Sequence, residues 1–279
     1  MNAETTRTAG ELLAFYLEAG VDALVDEAPV NRLAEALDAA AAPSAPEAEP
    51  AARRPAAAPR PASPAPPAAA GGTAMAPEAA VMAAREAARQ AATLDELRAI
   101  LAEFEGCPLR FMAKQLVFAD GNPAARVMFV GEAPGRDEDI AGLPFVGRSG
   151  QLLDRMLAAI GLDRTSAYIT NIIPWRPPGN RDPSTQETQV CLPFIQRQIE
   201  LVNPDVMVCL GKPSTAALLG VTDGIKRTRG RWFPYRTGVR EIRAMPTFHP
   251  AYLLRSPLDK RQSWRDMLAL KKALDATQA

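Results

Sequence analysis

The sequence predicts an α/β fold built around a parallel sheet, and two observations lead to this prediction. Helical patterns over Gln151–Ile160 and Glu187–Val202 alternate with apolar segments of strand length. The order of strand, helix and strand favours parallel strands joined by right-handed crossovers. Pro246 predicts an edge strand for the last segment, because proline cannot donate to a sheet ladder. The predicted strands are Val127–Val130, Ala167–Ile173, Val206–Leu210 and Ala244–Phe248.

The composition of the 279 residues divides the chain into three segments. Residues 1–38 contain an amphipathic pattern around Leu12 and Tyr16 that predicts a short helix. Residues 39–75 consist mostly of Ala and Pro, which predicts an extended, disordered linker because such a segment has little apolar surface to bury. Residues 76–279 then form the predicted functional domain, with its core at about 92–279. The sequence contains no apolar run long enough for a signal peptide or a membrane span.

Charge and cysteine content point to an intracellular protein with a basic surface. The chain has a formal net charge of zero, yet residues 92–279 hold 25 basic and 20 acidic residues. Basic and aromatic residues are mixed between Lys226 and Arg243, a composition equally typical of a phosphate-binding surface and of a solvated loop. Three cysteines are an odd number, which argues against a disulfide framework and for the reducing cytoplasm.

Distinctive residues follow each predicted strand. The motif GEAPG follows the first strand, Asn171 lies in the second, Gly211 follows the third, and His249 follows the fourth. Since ligands bind beyond the carboxyl ends of parallel strands, these loops are expected to meet at one rim together with Phe145. Each residue also has a structural interpretation: Asn171 as a turn residue, Phe145 as core and the loop carboxylates as helix caps.

Three motifs resemble those of the family 4 uracil-DNA glycosylases. They are GEAPGRDEDIAGLPFVGRSGQLL, ITNIIPWRPPGNRDP and FHPAYLLRSP, and they occur in the order of that family. The resemblance implies a three-layer α/β/α sandwich with a central parallel sheet of four strands. It also implies an enzyme that flips uracil out of DNA and hydrolyses the N-glycosidic bond, leaving an abasic site.

The same resemblance implies roles for the residues at the rim. Phe145 would stack on the uracil ring, and the Asn171 amide would pair with its O4 and N3–H edge. His249 would donate a hydrogen bond to O2. The principal carboxylate is expected to be Glu132, followed by Glu138 and Asp139. Ala133 occupies a position where relatives in the wider superfamily carry Asp or Asn, and its backbone is expected to contribute to O2 or water binding.

The resemblance also implies DNA contacts. Leu253 and Leu254 would form the wedge that fills the gap left by the base, with Arg255 beside the backbone. Plain helix core is the alternative for both leucines. Possible phosphate contacts, with solvated surface as the alternative, are Arg148, Arg176, Arg181 and Lys212. The expected partner is uracil-containing DNA, single- or double-stranded, bound by a monomer associated with the nucleoid.

This chain departs from the family at the iron–sulfur site. Most members hold a cluster with four cysteines, of which only Cys107 and Cys191 are present here. Phe104 and Trp175 replace the other two, so no cluster and no other cofactor is predicted. Two alternatives to a glycosylase remain open: a DNA-binding or polymerase-associated adaptor of the same fold, and a relative that links covalently to DNA. The second alternative is disfavoured because the basic segment contains no histidine.

Overall fold

The computed structural model describes residues 76–276, which lie in one compact unit. The predicted N-terminal helix and the Ala/Pro-rich linker lie outside the described residues. None of the helices in the described part of the chain is long and apolar enough to cross a membrane.

The centre of the fold is a six-stranded sheet with the order β1-β3-β2-β4-β6-β5. Four neighbouring strands, β3, β2, β4 and β6, run parallel, and β1 and β5 add antiparallel pairs at the two edges. The α/β prediction is confirmed, and the four predicted strands are the four parallel ones. The sheet also contains two antiparallel edge strands, which were not predicted because they lack the apolar runs by which the others were recognised. The strands are β1 Asp120–Gly121, β2 Val127–Gly131, β3 Tyr168–Asn171, β4 Val206–Leu210, β5 Phe233–Arg236 and β6 Glu241–Thr247.

Helices connect these strands. Three short 3-10 turns cover Pro108–Phe111, Pro178–Asn180 and Pro257–Asp259. The helices of the described residues are α1 Pro77–Gln90, α2 Leu94–Glu103, α3 Arg136–Ala141, α4 Arg148–Ala158, α5 Thr185–Val202, α6 Lys212–Leu219, α7 Ile225–Thr228, α8 Pro250–Arg255 and α9 Lys260–Ala276.

The two faces of the sheet bury two separate hydrophobic clusters. Val127 and Phe129 of β2 face one cluster, which includes residues of α4 and α9. Met128 and Val130 face the other cluster, which includes residues of α1, α2 and α5. Successive side chains of a strand point to opposite faces, so a strand buried at every position needs helices on both sides. The result is the three-layer arrangement that the resemblance implied.

The core begins earlier than the predicted residue 92. Ala80, Ala84 and Ala88 of α1 are buried in the cluster with α5. Their spacing places three small side chains on one helix face, which allows α1 to lie close against α5. Alanine gives only a weak apolar signal in a segment that follows an Ala-rich linker, and the sequence alone therefore did not distinguish this helix from its surroundings.

The prediction that the Pro246 strand forms an edge was wrong, because β6 lies between β4 and β5. β5 pairs with β6 only between Glu241 and Ala244, so Pro246 lies beyond that ladder. The carbonyl of Pro246 accepts a hydrogen bond from the Gly230 amide at 2.8 Å. An interior strand can therefore contain this proline without losing a ladder bond to β5.

A buried ion pair fixes the end of β6. The Asp266 carboxylate of α9 accepts hydrogen bonds from the Thr247 hydroxyl at 2.7 Å and from the Arg229 guanidinium, with Nε at 2.9 Å. Burial raises the pKa of Asp266, while the bonds from Arg229 and Thr247 act in the opposite direction. Thr247 precedes His249 by two residues, and the network therefore holds the strand end from which His249 projects.

Candidate active site

The carboxyl ends of the parallel strands open into one pocket with a volume of about 550 Å³. It is the place where the sequence predicted that the strand-end loops would meet. Among its lining residues are Glu132, Ala133, Glu138, Phe145, Asn171, Lys212, His249 and Arg255.

Asn171 is the last residue of β3 and contributes a buried amide to the pocket. Parallel pairing places it opposite Gly131, the last residue of β2. Only 4% of Asn171 is exposed, and within residues 76–276 its Oδ1 atom has no hydrogen-bond partner. A buried acceptor without a partner is costly, so this oxygen is arranged to accept a hydrogen bond from a bound ligand.

Phe145 forms an aromatic wall of the pocket. Its backbone has a φ of 56°, which is uncommon for a bulky residue, and its ring centroid lies 5.5 Å from that of His249. The loop is held in this conformation by the Glu138 carboxylate, which accepts hydrogen bonds from the amides of Gly135 at 3.1 Å, Val146 at 3.0 Å and Gly147 at 2.9 Å. Three backbone donors therefore occupy the Glu138 carboxylate, two of them from the residues that directly follow Phe145.

Gly131 provides the space in which Asn171 and Phe145 come together. A Cβ atom on this residue would lie 2.3 Å from Asn171 Oδ1 and 2.7 Å from Phe145 Cζ. Gly131 is the last residue of the extended strand β2. Its role is to leave room for the two side chains, and the signal for this role is a glycine at the final position of a buried strand.

His249 caps the N-terminus of α8 and presents a neutral imidazole to the pocket. Its Nδ1 atom accepts a hydrogen bond from the Ala251 amide at 3.1 Å. Burial, with a further contribution from the positive charge of Arg255, lowers the pKa of His249 to about 4. Since Nδ1 is an acceptor, the proton of the neutral ring is on Nε2, which leaves Nε2 as a hydrogen-bond donor.

Glu132 is the pocket carboxylate that remains available. Its backbone carbonyl accepts a hydrogen bond from Ile173 at 2.9 Å, while its side chain makes no hydrogen bond or ion pair within the described part of the chain. Burial, followed by repulsion from Asp182, raises the pKa of Glu132. Such a shift is typical of a carboxylate that carries out chemistry in a partly dry site.

Asp139 is not among the residues that line the pocket, unlike Glu132 and Glu138. It accepts a hydrogen bond from the Lys114 amide at 2.8 Å and lies 3.8 Å from Arg176. Arg176 also donates to Asn180 Oδ1 at 2.7 Å. The Asp139–Arg176 pair therefore joins two loops. Because Arg176 already contacts Asp139 and Asn180, its guanidinium is less available to bind a phosphate.

The basic side chains predicted to contact DNA differ in their availability. Lys212 and Arg255 are exposed at the pocket rim, and Arg148 is exposed at the first position of α4. Arg181 also lines the rim, but it forms a bidentate pair with Glu187 at 2.9 and 2.6 Å. Lys212, Arg255 and Arg148 are accordingly the stronger candidates for phosphate contact.

The leucines predicted as a wedge lie on α8. Leu253 is only 1% exposed, which favours the alternative interpretation as helix core. Leu254 is partly exposed. On a short helix, neighbouring side chains point in different directions, and a sequence motif alone does not tell which of the two faces solvent.

The remaining cysteine pair does not fit a four-cysteine cluster. The Sγ atoms of Cys107 and Cys191 lie 3.9 Å apart in a fully buried position. Phe104 packs edge-on against Phe194 with centroids 4.9 Å apart, and Trp175 is buried in the same hydrophobic cluster as the two thiols. Within residues 76–276, no three or more His, Cys, Asp or Glu side chains are arranged to hold a metal ion.

Purified protein is accordingly expected to contain substoichiometric iron and to lack a cluster absorption band. The protein is first treated with iron and sulfide under reconstitution conditions. Iron analysis then measures the iron content, and visible spectroscopy measures the cluster absorption band. The double variant Phe104→Cys, Trp175→Cys restores a four-cysteine set and is expected to take up iron under the same treatment. Stoichiometric iron in the unaltered protein would contradict the prediction.

Comparison with known proteins assigns the chain to a family. The family model for the uracil DNA glycosylase superfamily matches residues 118–269. The type-4 uracil-DNA glycosylase of Thermotoga maritima is 41% identical over 169 residues, which cover 59% of this chain and 86% of the relative. That of Archaeoglobus fulgidus is 38% identical, covering 59% of this chain and 85% of the relative. The type-4 enzyme of Saccharolobus solfataricus is 38% identical over 187 residues, or 65% of this chain and 85% of the relative. By these matches, the chain belongs to the uracil-DNA glycosylase superfamily and to its type-4 branch.

Proposed function

We propose that this protein is a DNA repair enzyme that flips uracil out of DNA and hydrolyses its N-glycosidic bond, leaving an abasic site. The observation that carries the proposal is the unpartnered, buried Asn171 amide oxygen in a pocket walled by Phe145 and His249. A base cannot reach such a pocket while it is stacked in DNA, so it must leave the helix first.

The pocket side chains suit uracil more closely than cytosine. The Phe145 ring provides a stacking surface, Asn171 Oδ1 accepts from uracil N3–H, and the Asn171 amide nitrogen donates to O4. Cytosine has no proton on N3 and carries a donor at position 4. Bound cytosine would therefore leave buried polar groups of Asn171 unpaired, which opposes its binding.

His249 is proposed to stabilise the departing base. As the glycosidic bond breaks, negative charge develops on uracil, including on O2. The neutral imidazole donates from Nε2, and the hydrogen bond from Ala251 to Nδ1 keeps the ring in that tautomer. The backbone at Ala133 lines the same pocket and is proposed to assist at O2 or at the attacking water.

Glu132 is proposed to stabilise the positive charge that develops on the sugar and to orient the attacking water. Its carboxylate has no competing partner within the described residues, and partial burial strengthens its electrostatic effect. Glu138 and Asp139 are both occupied by backbone donors, which leaves Glu132 as the carboxylate for chemistry.

Glu132→Gln is expected to lower the rate of uracil release by roughly 10²- to 10⁴-fold. The raised pKa of Glu132 also predicts that wild-type activity falls as the pH drops through that pKa, because the protonated acid has no negative charge. Single-turnover rates over a pH series measure both effects. Asp182→Asn removes the repulsion on Glu132 and is expected to move the fall in the release rate to lower pH. If Glu132→Gln showed the same fall in rate at low pH as the wild type, Glu132 would not be the catalytic carboxylate.

The proposed activity is tested by incubating the protein with a uracil-containing oligonucleotide and measuring free uracil. Release of uracil with an alkali-labile abasic site supports a glycosylase. Retention of DNA without release would support the adaptor, and a DNA-linked band on a denaturing gel would support the covalent alternative.

A further inference from the structure

The backbone of Phe145 is held through the two peptide groups that meet at its Cα atom. Arg164 Nη1 donates a hydrogen bond to the Pro144 carbonyl at 3.2 Å, and Arg164 Nη2 donates to the Phe145 carbonyl. The second peptide group is also held at its other end, where the Val146 amide donates to Glu138 at 3.0 Å. Because peptide groups are planar, hydrogen bonds to both planes restrict the φ and ψ angles of Phe145.

The conformation of Phe145 depends on such contacts. A φ of 56° lies in the left-handed region, and a bulky residue stays there only where its surroundings fix it. A Cβ atom on Gly150 of α4 would lie 1.6 Å from the Phe145 carbonyl oxygen, so the glycine allows the loop to lie directly against the helix. Within residues 76–276, no backbone amide donates to the Pro144 or Phe145 carbonyl, which leaves Arg164 as their hydrogen-bond donor.

Two carboxylates orient the Arg164 guanidinium. Its Nε atom donates to Asp154 of α4 at 2.8 Å, and Nη1 donates to Asp120 of β1 at 2.5 Å. The planar fork of an arginine can serve carboxylates and carbonyls at the same time, which the single ammonium group of a lysine cannot reproduce. Arg164 lies in the loop between α4 and β3 and does not line the pocket. Its contact with the pocket therefore runs through the Phe145 loop.

We propose that Arg164 is a positioning residue that fixes the Phe145 ring as the stacking wall for the flipped base. This inference rests on the proposed glycosylase function and deepens it. The φ and ψ angles of Phe145 set the direction of its ring, which lies beside Gly131 together with Asn171 and 5.5 Å from the His249 ring. Loss of the Arg164 hydrogen bonds frees both peptide groups to rotate, and the wall then shifts relative to the polar groups that bind the base.

The proposal is tested with a double-mutant cycle on Arg164 and Phe145, measured by single-turnover release of uracil. Arg164→Ala is expected to lower the rate by roughly 10- to 100-fold, because a small misplacement of a positioning group is costly in an active site. Phe145→Ala removes the wall itself and is also expected to lower the rate. In the Phe145→Ala background, Arg164→Ala is expected to change the rate by no more than about twofold, since the group through which Arg164 acts is already absent.

Arg164→Lys is the second variant of the cycle. It keeps a positive charge beside the two carboxylates but lacks the planar fork, so it is expected to show part of the loss and the same dependence on Phe145. Thermal unfolding and circular dichroism give the folded fraction of each variant at the assay temperature, and rates are compared per folded molecule.

Arg197→Ala is a matched control for the loss of a partly buried arginine. The Arg197 side chain is 28% exposed, close to the 25% of Arg164, and it also joins a carbonyl to a carboxylate. It donates to the Ala91 carbonyl at 3.0 and 2.8 Å and to Glu200 at 2.7 Å, and none of these residues lines the pocket. The variant is expected to release uracil at the rate of the unaltered protein.

The outcomes separate this inference from the proposed function. A wild-type rate in Arg164→Ala would overturn the positioning role and leave the glycosylase intact. Losses that multiply in the double variant would also overturn it, because Arg164 would then act independently of Phe145. If Arg164→Ala does not fold, the same cycle with Arg164→Lys decides between these results. Absence of uracil release by the unaltered protein would overturn the proposed function, and the positioning role with it.

Discussion

Asn171→Ala is expected to lower kcat/KM for uracil release by roughly 10²- to 10³-fold, the loss typical of removing a hydrogen-bonding group that acts in the transition state. The amide at this position supplies both the acceptor for N3–H and the donor to O4 in the proposed complex. Without it, the pocket retains the Phe145 surface but loses its polar contact with that edge of the base. The effect is measured by single-turnover release of uracil.

The fold is expected to tolerate this change because Asn171 Oδ1 makes no hydrogen bond within residues 76–276. Thermal unfolding and circular dichroism of the variant check this point. Asn122→Ala is a matched control, since Asn122 lies in a turn after β1 and accepts a hydrogen bond from Ala124, away from the pocket. Uracil release by Asn171→Ala at a wild-type rate would refute the proposed recognition of the base.

His249→Ala is expected to reduce the rate of uracil release by roughly 10²- to 10³-fold, because the donor to O2 is lost. His249→Gln supplies an amide donor at the same position and is expected to recover part of the rate. Both variants are measured by single-turnover release of uracil at neutral pH. Glu132 is unaltered in both, so a difference in rate reports on His249.

The lowered pKa of His249 gives this prediction a pH dependence. Below the ordinary value of 6.5, the unfolded chain protonates its histidine while the folded chain keeps it neutral down to about 4. The unfolded state therefore binds more protons across that window, and the contribution of His249 to the free energy of unfolding is lost as the pH falls from about 6.5 to about 4. His249 is the only histidine in the 279 residues, so its ring protons can be followed by NMR without ambiguity. Titration near 6.5 in the folded protein would contradict the neutral donor.

Much of the active site follows from one rule of sheet topology. The rule that ligands bind beyond the carboxyl ends of parallel strands brought GEAPG, Asn171 and His249 to one rim, and the structure places all three there. The α/β fold was predictable for a related reason, because strands buried on both faces are continuous apolar runs that stand out in a sequence.

The features that escaped prediction depend on three-dimensional contacts. The sequence identifies Glu138 only as one of several acidic residues after β2. The hydrogen bonds that its carboxylate accepts from three backbone amides are visible only in the folded structure. Leu253 belongs to a motif associated with a wedge, yet the orientation of α8 buries it. Pro246 indicates an edge strand until the short pairing of β5 is known. In each case, the sequence shows the type of residue but not which residues surround it in the folded protein.

The close contact at Gly131 has a consequence for how this gene can change. A glycine codon converts by any missense mutation into a codon for a residue with at least a Cβ atom, and that atom would lie 2.3 Å from Asn171 Oδ1 and 2.7 Å from Phe145 Cζ. Even the smallest replacement, Gly131→Ala, is therefore expected to clash with the two side chains. Inherited variants at Gly131 are expected to behave as loss-of-function alleles, although Gly131 has no side chain that could take part in the reaction.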